Sequence, residues 1–239
     1  MIAKPLPILA ALCVAALGCS PGEPPPRESP PPVPSEPAAT ASHDSRPTVV
    51  FLGTSLTAGL GVDPALAYPA LVQAKIEAAG LPHRVVNAGV SGETSAGALR
   101  RIDWLMQKPI AVLVVETGAN DGLRGQDPQA LRANVQAIFD RARRQSPPPR
   151  LVLVAMEALT NYGAAYVARF RSLFPELAKA NDAALVPFLL EGVAGVRSLN
   201  QADGIHPTAE GHARMAETVW PVLRPILEAD ARSRSAAMD

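Results

Sequence analysis

The stretch VVFLGTSLTAGLG, Val49 to Gly61, decides how the rest of the chain is read. Four apolar residues, Val49 to Leu52, run without alternation, as in a strand covered on both faces. They hand over abruptly to Gly53-Thr54-Ser55-Leu56-Thr57. Such a break suits a phosphate-binding loop, a nucleophile turn or an ordinary strand-to-helix connection. A P-loop needs a lysine after its second glycine, and none follows here. The dinucleotide fingerprint fails on spacing, since the glycines are Gly53, Gly59 and Gly61. The G-x-S-x-G elbow fails because Thr57 stands where the second glycine belongs.

Outward from this stretch, strand and helix patterns alternate. Strands are predicted at Thr48–Leu52, Arg84–Asn87, Ala111–Glu116, Pro149–Met156 and Ala184–Pro187. Helices are predicted at Ala67–Ala79, Thr94–Met106, Pro128–Gln145, Gly163–Asn181 and Thr208–Ala229, the last with a bend at Pro221. Asp127 and Pro128 give the third of these an N-cap and a first-turn proline. Near-continuous apolar strands separated by helices imply a parallel sheet covered on both faces. The expected architecture is a three-layer α/β/α domain with a five-stranded parallel sheet.

Open sheets of this kind collect ligands beyond the carboxyl ends of their strands. Small and polar residues gather at that rim: GTSLT after the first strand, NAGVSG after the second, TGAND after the third, and Asp203-Gly-Ile-His-Pro207 before the last helix. A serine nucleophile needs a base, and the base needs an orienting partner. Of the four histidines, His43 lies outside the folded domain, His83 precedes the second strand at the opposite rim, and His212 is expected to face solvent from the last helix. His206 sits at the correct rim, with Asp203 three residues before it. A tight turn there can aim the carboxylate at Nδ1–H and leave Nε2 for a hydroxyl. Metal binding by Asp203, His206 and His212 has no recognised ligand pattern behind it, so neither metal nor cofactor is expected.

The chain has 239 residues, with 22 basic against 22 acidic, and this balance gives no reason to expect a nucleic-acid partner. The run Arg141–Gln145 closes a predicted helix, where cations complement the dipole. Residues 1–19 read as an export signal: one lysine, a short apolar stretch, then Gly18-Cys19. The two cysteines, Cys13 and Cys19, both lie there, so the domain has none for a disulfide. Gly18-Cys19 resembles a bacterial lipobox, with lipidation at Cys19; Ala16 departs from its usual aliphatic residue, and a plain secretory signal is the alternative. Residues 20–47 are rich in Pro, Ser and Glu and read as an extended tether. The domain is expected over residues 48–229, and residues 230–239 are expected as a disordered tail.

The ordered set GTSL, NAGVSGET, GAND and DGIHP resembles the SGNH or GDSL hydrolases, from Val49 to about Pro225. AYPALVQ, ETGANDGLRG and TNYGAAY bring it nearest the bacterial arylesterase, lysophospholipase and acyl-CoA thioesterase type. The resemblance implies the flavodoxin-like SGNH fold. It implies Ser55 as nucleophile, His206 as base and Asp203 as its partner. It implies an oxyanion hole from the N–H groups of Ser55 and Gly89 and the Asn120 amide. It places Asn161 and Tyr162 near the acyl pocket. The implied substrates are carboxylic esters, lysophospholipids or acyl thioesters, handled by a monomer without a cofactor. The location implied by the signal is the bacterial cell envelope, lipid-anchored through Cys19, or else secretion. An envelope carbohydrate O-deacetylase would use the same residues, and a non-catalytic glycan- or lipid-binding lipoprotein would need none of them together. The family's first block usually reads Gly-Asp-Ser-Leu; here Thr54 replaces the aspartate.

Overall fold

A computed structural model describes residues 45–237. The signal-like segment with Cys19, and the tether as far as residue 44, lie outside the described residues. Five strands, β1 (Thr48–Gly53), β2 (Arg84–Gly89), β3 (Val112–Glu116), β4 (Arg150–Val154) and β5 (Ala184–Val186), form one sheet in the order β2-β1-β3-β4-β5. All four pairings are parallel. β1 and β3 lie inside the sheet, which is why their sequences are apolar on both faces: Val49, Phe51, Leu52 and Val112–Val115 are fully buried.

The helices divide into two layers. α2 (Tyr68–Ala78) packs on α7 (Ala209–Ala236), while α3 (Ser95–Leu105) packs on α5 (Pro128–Ala142) and α5 on α6 (Ala164–Ala180). Asp127 caps α5 through its side chain, which accepts from Gln129 N at 3.0 Å, with Pro128 in the first turn. Two one-turn helices fall within segments that read as loops: α1 (Ser55–Ala58) after β1 and α4 (Ala119–Leu123) after β3. Both are too short for amphipathic periodicity to show them. Among the described residues no helix is long and apolar enough to cross a membrane.

The C-terminal end corrects the expected boundary. α7 does not stop at Ala229 but runs to Ala236. Asp230 accepts from Arg234 Nε at 2.5 Å one turn on, and pairs with buried His83 Nε2 at 2.9 Å. An i,i+4 ion pair and a tertiary anchor extend a helix that composition alone leaves frayed. Pro221 and Pro225 lie within α7, and both are on its exposed side. His212 is a second correction. It does not face solvent: it is buried, its Nδ1 accepts from Tyr68 N at 3.3 Å, and its ring stacks on Tyr68. Burial, helped by the nearby His206, lowers its pKa to about 4. The ring is therefore neutral at ordinary pH, as its acceptor role at Nδ1 requires.

Candidate active site

The break after β1 is a sharp turn followed by a single helical turn. Gly53 ends the strand because a side chain has no room there: a Cβ would lie 1.9 Å from Thr57 Oγ1. Thr54 is extended and Ser55 opens α1. As the first residue of a helix, Ser55 has an N–H without an intrahelical acceptor. Its side chain lies at the rim of the sheet.

His206 meets it from the loop before α7, with Nε2 at 3.0 Å from Ser55 Oγ. On the other side of the ring, His206 Nδ1 lies 2.6 Å from Asp203 Oδ2. The second carboxylate oxygen, Oδ1, accepts from the backbone N–H of Ile205 and of His206, each at 3.0 Å. The hydrogen bond from the His206 ring, then those from the backbone N–H groups, hold the Asp203 pKa down at about 2. An ionised Asp203 can only accept, so Nδ1 carries the proton and Nε2 presents a lone pair to the Ser55 hydroxyl. The tight turn fixes both bonds, and Gln201 fastens it to the serine side. Its backbone N–H donates to His206 O at 2.7 Å, and its amide reaches Leu60 O at 2.7 Å and Pro207 O at 2.8 Å.

Asn120, in the first turn of α4, donates through Nδ2 to Glu93 O at 3.0 Å. That bond aims the amide at the loop after β2. The loop is braced by Arg101, whose guanidinium grips both Glu93 carboxylate oxygens at 2.6–2.9 Å and also reaches Gly53 O at 3.3 Å.

Gly89 has a different part from the expected one. Its N–H donates to Asn87 Oδ1 at 2.9 Å, and the residue sits in register beside Gly53 at the end of the edge strand β2. A Cβ on it would meet Ala58 N at 2.2 Å. Gly89 is therefore a close-packing residue between β2 and α1, not a donor to the site. Gly92, three residues on, has φ +77° and lines the cavity with Ser55, Asn120 and His206. Its N–H has no acceptor among the described residues. The two glycines share one motif, and only the path of the loop separates them.

The cavity has a volume of about 590 Å³, ordinary for a small-molecule site. Its walls are apolar, with Leu56, Leu60, Leu123, Met156, Phe188 and Leu190 among them. Asn161 and Tyr162 do not line it; Leu159 and Thr160 do. The Tyr162 hydroxyl donates to Leu123 O at 2.8 Å and its ring packs on Tyr166, so Tyr162 braces the wall from behind. Asn161 is exposed. Among the described residues, no three His, Cys, Asp or Glu side chains come together as a metal site would require.

A hydroxyl, an imidazole and a carboxylate in series, at the mouth of an apolar cavity beside the Asn120 amide, which spends only one of its two N–H groups on Glu93 O, can carry out acyl transfer. Residues 51–214 match the GDSL-like lipase/acylhydrolase family. The chain belongs to that family. It is 41% identical over 182 residues to Esterase TesA of Pseudomonas aeruginosa, covering 75% of this chain and 89% of that protein. It is 36% identical over 185 residues to Thioesterase 1/protease 1/lysophospholipase L1 of Escherichia coli, covering 77% and 86%. Among solved structures, the psychrotrophic esterase EstA from Pseudoalteromonas sp. superposes with a TM-score of 0.71 at 30% identity, covering 76% of this chain and 98% of that one. The three-layer fold with its five-stranded parallel sheet matches that of the family's solved members, and the chain is a GDSL-type hydrolase.

Glu116, Gln201, Arg101 and Gly92 were invisible as functional residues in the sequence. Glu116 closes an apolar strand and reads as its polar end. Gly92 stands in the same motif as Gly89, and Arg101 and Gln201 are ordinary polar types whose reach to Gly53 O and Leu60 O, 48 and 141 residues away, only the fold supplies.

Proposed function

We propose that this hydrolase cleaves carboxylic and thio esters of acyl groups through a covalent intermediate on Ser55. The observation that carries this reading is the series Ser55 Oγ, His206 and Asp203, at 3.0 and 2.6 Å, opening onto an apolar cavity. His206 Nε2 removes the Ser55 proton as Oγ attacks the carbonyl carbon. The negative charge on the carbonyl oxygen is received by the Ser55 and Gly92 N–H groups and the Asn120 amide. Each such donor is typically worth about 3 to 4 kcal/mol in the transition state. Asp203 stabilises the imidazolium and keeps its tautomer. The imidazolium then protonates the leaving alcohol or thiol, and water, deprotonated by His206, attacks the acyl-enzyme to release the acid and free Ser55.

The cavity walls suit an acyl chain, and the names of the relatives, esterase and thioesterase/lysophospholipase, agree with ester, thioester and lysophospholipid substrates. We further propose that the enzyme acts in the cell envelope, tethered through a lipidated Cys19. The test of the chemistry is hydrolysis of a chain-length series of nitrophenyl esters, with and without Ser55→Ala. Loss of a triad member is expected to cost about ten-thousandfold or more in kcat. A diethyl nitrophenyl phosphate probe should add its phosphoryl group to the Ser55 peptide alone. Full turnover by Ser55→Ala, or labelling elsewhere, would overturn the assignment.

A further inference from the structure

The last residue of β3, Glu116, is fully buried, and among the described residues it forms no ion pair. Its partners are donors from the nucleophile turn. Oε2 accepts from Thr54 N at 2.8 Å and from the Thr57 hydroxyl at 2.9 Å. The Thr54 hydroxyl lies 3.0 Å from each carboxylate oxygen. The Tyr68 hydroxyl stands 2.8 Å from Thr57 Oγ1. Because the single Thr57 proton goes to Glu116, Tyr68 donates to Thr57. A chain of hydrogen bonds thus joins α2, α1 and β3. Thr54 and Thr57 flank Ser55 in sequence, so the backbone that carries the nucleophile is held on both sides by one carboxyl.

We infer that Glu116 and Thr54 are positioning residues that set the Ser55 turn for attack, an inference that rests on the Ser55 reading above. Neither lines the cavity, so they act through the turn and not on substrate. From every side the carboxyl is met by neutral groups: Thr54 at the β1–α1 junction, Thr57 from α1 and Tyr68 from α2. Of the charged or titratable side chains on the neighbouring elements, Arg101 from α3 gives its bonds to Glu93 and Gly53 O, and His212 from α7 accepts from Tyr68 N. Burial raises the Glu116 pKa to about 7, and the hydrogen bonds from Thr54 and Thr57 pull against that rise. Buried hydrogen-bonded networks hold their geometry tightly because breaking one member leaves a desolvated polar group.

Thr54 is matched to this arrangement. Its hydroxyl supplies a proton to the carboxyl. An aspartate at the same position would put a second carboxyl against Glu116, and two carboxyls at that distance share one proton instead of ionising together.

Three substitutions at position 54 test this in the full-length chain. Thr54→Val keeps the shape and removes the donor. It should lower kcat about tenfold to a hundredfold, the scale for a nucleophile displaced by a fraction of an ångström to an ångström, with KM nearly unchanged. The rate of Ser55 phosphorylation by diethyl nitrophenyl phosphate should fall by a similar factor. Thr54→Ser should recover most of the loss. Thr54→Asp should introduce a decline of kcat with rising pH, as the shared proton leaves, that the wild type lacks. Should Thr54→Val fail to fold, Glu116→Gln is read in the same assays and should show the same loss in kcat and phosphorylation. Wild-type kcat and phosphorylation in the folded variant, a change in KM alone, or a Thr54→Ser as impaired as Thr54→Val would overturn the inference. Turnover surviving in Ser55→Ala would instead overturn the reading beneath it, whatever the Thr54 series shows.

Discussion

Replacing Gly89 by alanine separates its packing role from the donor role that the motif suggested. Alanine keeps the backbone N–H, so a residue needed only as a donor would tolerate the change. The structure leaves no space for the methyl group. Its carbon would sit 2.2 Å from Ala58 N, 2.7 Å from Ala58 Cα and 2.8 Å from Thr57 C, all backbone atoms. Ordinary contact begins at 3.4 Å, so β2 and α1 must part by roughly 1 Å. Overpacking of this kind costs about 1 to 3 kcal/mol. At about 2 to 4 °C per kcal/mol for a domain of this length, Tm should fall by about 2 to 12 °C. Because the displaced element carries Ser55, kcat should also fall, by up to about a hundredfold. Thermal unfolding followed by circular dichroism, and hydrolysis of a short nitrophenyl ester, measure the two effects. Gly92→Ala controls for the clash in the unfolding measurement alone: its Cβ meets only Arg124 Nη2, at 4.0 Å, although φ +77° adds local strain. A Gly89→Ala protein with wild-type Tm and kcat would refute the packing assignment.

Asn120→Ala should lower kcat by about a hundredfold to a thousandfold with a smaller change in KM, as expected for a group that binds developing charge; steady-state kinetics on one ester suffice to check it. His212 should destabilise the protein in acid. Its folded pKa of about 4 lies below its ordinary 6.5, so its contribution is fully present above pH 6.5 and is lost as pH falls toward 4. His212→Gln should flatten that part of a Tm-against-pH curve. Cys19→Ser should abolish incorporation of labelled palmitate and release the enzyme from membranes; equal labelling of both proteins would favour an ordinary secreted form.

The sequence by itself determined the architecture and pointed to Ser55, Asp203 and His206, which the fold brings together. Uninterrupted apolar runs such as Val112–Val115 can be satisfied only inside a sheet covered on both faces, and helices between them make that sheet parallel. Ser55, Asn120 and the Asp203–His206 turn were legible because each stands in a short local motif at a strand end, and a tight turn fixes a carboxylate and an imidazole three residues apart. What local spacing cannot carry is the choice between neighbours and the identity of distant partners. Gly89 and Gly92 lie in one motif, and only the packing of β2 against Ala58 commits the first to the sheet and frees the second for the cavity. His212 looked solvent-facing until α2 covered it, and the end of α7 looked frayed until Asp230 met His83, 147 residues away. Glu116 is the clearest case. One carboxylate at the end of an apolar strand has no meaning in sequence, because its three donors belong to a turn 59 to 62 residues earlier. Hydrogen bonds form between atoms brought within three ångströms, and only the folded chain brings these together.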